Sequence, residues 1–470
     1  MSSARILAAF AALLGLCPLS TARAASATWN GTTDSLWSTG TNWSATPVPG
    51  AGDIATFNNA GNGNTNITVG TISLSKLFFT GAPTAAYTLG SGGITFADGT
   101  TTALEIASTV TTNQTISAGI TLGTASASNT TFNNGSLTGL LTLSGNITGG
   151  TGGTAGVKYL TIAGAGNTTI SGDISKGGAS YLTLMKGGAG TLELTGNTTL
   201  GAAGTIGGTV TISGGTLVTS GTMTVNNALN TLLLNPNTTL ALNNTTNGGI
   251  GVGTIQTNNN STIRANMASI QLSNQIQISG DNTNLNFSGS NSLTVNGAVY
   301  ATTNNVSKSI TNNISSGGVL TLAGRVGITY LSTSTSGTLT LAGTGDTTIS
   351  SQIYDYANAN FSVPGNSGST NTNFIITNTG TTTLSASSSY TAKTTLGAGS
   401  TVAVSTLANG GAASSVGASS NAAANLTITS GTLKYTGGAT STDRGFTIGA
   451  GAGATATLDA SGTGAVDFTN

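Results

Sequence analysis

The chain has 470 residues, with 12 basic and 12 acidic side chains, no histidine and no net charge. Charged residues make up 5% of it, against about 25% in ordinary globular proteins. Neutrality excludes the basic footprint with which proteins displace counterions from nucleic acid. The missing histidine removes Ser-His-Asp and Cys-His catalysis and most transition-metal sites.

At the N-terminus, Arg5 precedes an apolar run from Ile6 to Leu16, and Ala22 and Ala24 supply small residues ahead of a cleavage point. Residues 1–24 are therefore expected to be a secretory signal peptide, cut between Ala24 and Ala25. The run is too short for a membrane-spanning helix, which needs about 20 residues, so no transmembrane segment is expected in the mature chain. Cleavage would also remove Cys17, the sole cysteine. A secreted chain without disulfides must draw its stability from packing and hydrogen bonds.

Residues 25–60 differ from everything that follows. The stretch "TWNGTTDSLWSTGTNWSATPVPGAGDIATF" holds all three tryptophans, Trp29, Trp37 and Trp43, and two of the six prolines. Bulky side chains at one end suit an N-terminal cap over the open edge of a stack of strands. The alternative is a carbohydrate platform. Spacings of eight and six would put the three rings on one face of an uninterrupted strand, with surface glycans as partners, although the intervening Gly and Asn residues break such a strand.

From residue 61 to 470 short alternating runs recur, among them "LLTLSGNITGG" from Leu140, "TLELTG" from Thr191 and "GTLTLAG" from Gly337. Period two with glycine punctuation predicts half-buried strands joined by tight turns. The runs are related: "LTIAGAGNTTISGDI" at 160–174 matches "LTLAGTGDTTISSQI" at 339–353 in ten of fifteen positions. Self-similarity in a strand-rich, low-charge chain predicts an all-β solenoid, specifically a right-handed parallel β-helix, rather than a row of β-sandwiches. Coils of roughly 20 to 25 residues, stacked at ~4.8 Å, would give about twenty rungs.

Chemistry has little to work with. The ten Asp and two Glu are scattered. The densest charge cluster in the mature chain is Lys158, Asp173, Lys176, Lys186 and Glu193. Such a set supports an alternative reading as a Ca²⁺-dependent lyase or hydrolase of acidic polysaccharide, with a lysine as base and carboxylates holding the cation. Against it, Lys186 belongs to a repeat pattern that explains it without catalysis. No catalytic, cofactor or metal residue is assigned, and no enzymatic activity is expected.

The opening segment, with its "LW…NW" step and "PGAGD…F" close, resembles the start of large secreted proteins carrying autotransporter-associated β-strand repeats. "LMKGGAGTLELTGNTTL", Leu184 to Leu200, is similar to their repeat, and Ile375 to Val402 to a degenerate copy. "STDRGFTIGAGAGATATLDASGTGAVDF" is similar to a segment that recurs in such chains. The resemblance implies a β-helical passenger, exported or held on the outer surface of a Gram-negative-type bacterium, adhesin-like and without enzymatic activity, meeting surface glycans or like chains. Members commonly end in a membrane β-barrel or a sorting tail. This chain stops at "AVDFTN", which implies either a piece of a longer passenger or export by separate machinery.

Overall fold

The computed structural model describes residues 25–59, 61, 63–81, 84–97, 102–123, 128–150, 156–201, 207–224, 231–302, 306–315, 317–330, 336–357, 372–449 and 453–470. The expected leader, including Ala24, lies outside them.

The alternation seen in the sequence becomes burial. In strand Leu141–Leu143 both leucines are buried and Thr142 faces outward. Strand Thr191–Leu194 repeats the rule, burying Leu192 and Leu194. A pleated strand sends successive side chains to opposite faces, so each run offers one apolar row inward and one hydroxyl row outward.

The strands wind as a parallel β-solenoid with three faces. One coil runs through Val157–Ala163, Thr168–Ile170 and Ile174–Ser175. The next lays Tyr181–Lys186, Thr191–Leu194 and Thr198–Thr199 directly upon these, pairing Leu160 with Leu184, Thr169 with Glu193 and Ile174 with Thr198. All named strand pairings among the described residues are parallel; two antiparallel bridges, Trp29–Trp43 and Ser388–Ser414, lie outside the strands. The first-face sheet holds 14 strands, from Ala27–Thr28 to Ile353–Ala357, which at ~4.8 Å per strand extends about 60 Å. Inward residues stack in files such as Leu192, Leu217, Leu240 and Ile263, all fully buried. Each such side chain contributes about 1.5–3 kcal/mol through burial.

The expected coil length needs correction. Coils are often longer than 25 residues: the register advances by 24 from Val157 to Tyr181, but by 30 from Ser128 to Lys158 and by 35 from Gly337 to Thr372. Longer coils leave the stack with fewer rungs than the twenty expected. The structure also places the internal repeat. Its copies do not occupy equivalent faces: residues 160–163 lie in first-face strand Val157–Ala163, whereas 339–343 lie in second-face strand Gly337–Gly343. Both strands obey the same inward–outward rule and reach a positive-φ glycine, Gly164 and Gly343, so one unit fits either face.

The tryptophan segment lies across the first rung. Ala27–Thr28 pairs with Ile54–Phe57, the next strand of the first face. Leu36 bridges Thr68 in Asn66–Leu74, the first strand of the second face. The Thr68 N–H donates to Ser35 and its carbonyl accepts from Trp37. Backbone groups that would otherwise face solvent at two sheet edges are thereby paired, which blunts edge-to-edge association.

Candidate functional site

The three tryptophans form one buried cluster. Their relative exposures are 0% for Trp29, 1% for Trp37 and 4% for Trp43. Trp43 meets Trp29 and Trp37 edge-on, with ring centroids 5.1 and 4.6 Å apart, and packs on Phe57, which stacks on Phe79. Such contacts add about 0.5–1.5 kcal/mol per pair beyond area burial. Each indole N–H has a backbone acceptor: Trp29 donates to Asn64, Trp37 to Pro49 and Trp43 to Trp37. The loop is shaped by Asn42, fully buried, whose amide donates to Asp34 and Leu36 while its oxygen accepts from Thr33 and Asp34. The Leu36 N–H, then Asn42 and Thr39, hold the Asp34 carboxyl below its ordinary range. Sugar stacking needs an open ring face, and these rings are covered. Tryptophan emission is accordingly expected to be blue-shifted and weakly quenched by acrylamide, with or without oligosaccharide. Strong quenching would mean that the cluster opens.

The sequence-marked charges are distributed over three faces. Lys158 and Lys186 lie on the first, Glu193 on the second, Asp173 at the following corner and Lys176 at the end of the third. Each has a local partner. Lys158 reaches the Ser128 hydroxyl at 3.0 Å. Lys176 donates to the carbonyls of Gly177 and Ala179. Glu193 accepts from the Ser220 hydroxyl. The Lys186 ammonium, 2% exposed, donates to the carbonyls of Gly187, Gly188 and Gly214. Two of these belong to its own corner and one to the next coil, so the lysine of the repeat closes a corner and ties it upward.

Asp173 is one step in a ladder. Its N–H donates to the Asn146 side chain one coil below, and its own carboxylate accepts from the Asn197 N–H one coil above, at 2.9 and 2.8 Å. The recurring "GN" and "GD" pairs are thus corner staples. The glycine of each pair is set by space. A Cβ on Gly172 would lie 2.1 Å from the Gly145 carbonyl oxygen, on Gly196 2.4 Å from that of Gly172, and on Gly221 2.2 Å from that of Gly196. Only glycine lets rungs approach so closely at this corner.

Three buried charges escaped sequence reasoning. Asp355, wholly buried, accepts from the N–H groups of Thr391 and Ala392 and from the Thr391 hydroxyl. It seats residues 391–392 on the last first-face strand. Arg444, 3% exposed, donates to the carbonyls of Ala408, Asn409, Ala412, Gly417 and Ser419. One guanidinium thereby organises residues 408–419; burial lowers its pKa, opposed by Tyr390 and Asp443. Only Arg444 had a sequence signal, its place in the "STDRGF" segment.

The third is Lys308, 2% exposed, whose ammonium has no hydrogen-bond partner among the described residues. Burial pushes its pKa down to about 8, with Asp281 opposing. Between pH 8 and about 10.4 the unfolded chain still holds this proton and the folded chain does not, so stability rises with pH across that window. Lys308→Met is expected to add about 2 kcal/mol at pH 7 and much less at pH 10. Urea unfolding at the two pH values checks this; an equal effect at both would contradict it.

Among the described residues no three acidic side chains come together, whereas Ca²⁺ takes about 6–8 oxygen ligands. No helix there is long and apolar enough to cross a membrane. Comparison with protein-family models, curated proteins and solved structures gives no match.

Proposed function

We propose that this chain is a non-enzymatic structural or adhesive element of the bacterial exterior, a stiff β-solenoid bearing uncharged polar rows outward. Residues 25–60 act in it as the N-terminal cap, and the autotransporter-associated repeat is the family likeness that fits the corners best. The observation that carries this reading is the employment of the charged residues. Asp173, Lys186 and Glu193, the best candidates for chemistry, each serve a bond between coils. A lattice of such bonds gives each coil interactions with both neighbours, the source of stability in repeat proteins. Surface glycans or like chains are the partners this reading favours.

The test uses the chain as its own cells make it. Cell fractionation should place it outside the cytoplasm, with an N-terminus at Ala25. Purified protein coated on beads should bind cells or other beads, and Asp173→Ala and Lys176→Ala should leave that binding intact. Turnover of uronate polymers in Ca²⁺, lost in either variant, would replace this reading with the lyase one.

A further inference from the structure

We propose that the second and third faces, in the rungs between residues 88 and 224, form a hydroxyl lattice that binds ice. On the third face Thr95, Thr121, Thr148, Ser175, Thr199 and Thr224 occupy one register position on six successive rungs. Each is partly exposed. On the second face Thr88, Thr115, Thr142 and Thr169 form a parallel file. Ser117, Ser144 and Ser171 follow two residues along, and their N–H groups continue the same ladder.

The dimensions of such a surface follow from strand geometry. Hydroxyls repeat at ~4.8 Å from rung to rung and at ~6.7 Å between alternate residues of one strand. Both lie close to oxygen repeats on the prism planes of hexagonal ice. Threonine suits this use. Its β-branch restricts χ1, so the hydroxyl positions are set before contact and little entropy is lost on binding. The hydroxyl donates and accepts, matching water in either orientation, while the methyl favours the ordered water cages that surround apolar groups.

Charge would disturb such a lattice, and the second-face file ends where Glu193 takes the register position after Thr169; beside the third-face file, Lys176 is turned onto the carbonyls of Gly177 and Ala179. From residue 106 to 172 the only charged side chain is Lys158, which is buried in the first face. Crystalline polysaccharide is the less favoured occupant because it is gripped by aromatic faces. The exposed Tyr159 belongs to the first face. Each hydroxyl contributes little, but a rigid row engages many sites of a lattice at once. This inference goes beyond the adhesive reading and does not depend on it.

The test is partition of fluorescently labelled full chain into a slowly growing ice hemisphere, with labelled serum albumin as the excluded control. Wild type should be enriched in ice by roughly tenfold over that control, through many weak contacts at once. Thr142→Lys/Thr148→Lys, charged in the middle of both files, should fall to the control level. Thr161→Lys, on the first face, should behave as wild type, and circular dichroism should show all three folded. Exclusion of wild type from ice overturns the proposal. So does unchanged enrichment of the double variant, or equal loss in Thr161→Lys. Binding to crystalline cellulose or chitin without entry into ice would also overturn it and assign the faces to polysaccharide.

Discussion

Replacement of Arg444 by methionine is expected to lower the stability of the rungs near it by about 3–5 kcal/mol, the usual loss when a buried charge network is broken from one side. The guanidinium serves five carbonyl groups between Ala408 and Ser419, and methionine fills the space but donates nothing. Ala408, Asn409, Gly417 and Ser419 keep one other donor each, from Thr442, Ala412, Ser414 and Gly411, but the bonds that join these carbonyls through one buried group are lost. Because coils of a solenoid contact only their neighbours, the damage should stay local. Amide hydrogen exchange should accelerate across residues 388–449, while strands such as Thr191–Leu194 and Thr239–Leu242 keep their protection. Lysine at 444 should rescue only a fraction of the loss, since a point charge with three donors cannot reproduce the guanidinium fork. Uniform acceleration along the whole chain would contradict this account of Arg444.

Gly172→Val is expected to cost more than about 4 kcal/mol, at the far end of what single substitutions do. The Cβ would sit 2.1 Å from the Gly145 carbonyl oxygen, and backbone above and below leaves no flexible group to yield. The only relief is to push neighbouring rungs apart, which breaks the corner bonds of Asn146, Asp173 and Asn197. Limited proteolysis should then cut near residue 172, and the urea midpoint should fall sharply. Thr142→Val, which puts the same side chain at an outward strand position one coil away, should alter stability by no more than about 0.5 kcal/mol. Similar midpoints for the two variants would mean that the glycine file does not set the rung spacing.

How much of this was legible in the sequence depends on range. Thr142 between two leucines, or Glu193 between Leu192 and Leu194, announces a strand with one buried row, because alternation is local. Lys186 and Gly188 announce a repeat. Their reasons were hidden, since one acceptor of Lys186, the Gly214 carbonyl, comes from the next coil. Asp173 drew attention as an acid, but its ladder partners lie 27 residues before it and 24 after. That separation follows from coil length, which varies at the corners and leaves no periodic mark. For the same reason the paired copies at 160–174 and 339–353 revealed a unit without revealing that they lie on different faces. Asp355 and Lys308 had no signal at all, because burial of a charge depends on the coils stacked around it.

The tryptophans show the converse. Their clustering in sequence pointed to a special end, and the packing of Trp43 between Trp29 and Trp37 gives the physical content. A solenoid corner has no room for an indole, whereas an end can fold a loop across itself.

The central claim is that the charges of this chain hold coils together rather than act on a substrate. It is tested most directly by Asp173→Asn/Glu193→Gln, which removes both carboxylates while keeping an acceptor for Asn197 N–H and for the Ser220 hydroxyl. Asparagine already fills the role of Asp173 at Asn146, one coil below. Thermal unfolding and uronate-polymer turnover in Ca²⁺ would be measured on wild type and double variant together. The expected result is an unchanged unfolding temperature and turnover in neither protein. A wild-type turnover that the double variant loses, with its fold intact, would contradict the claim.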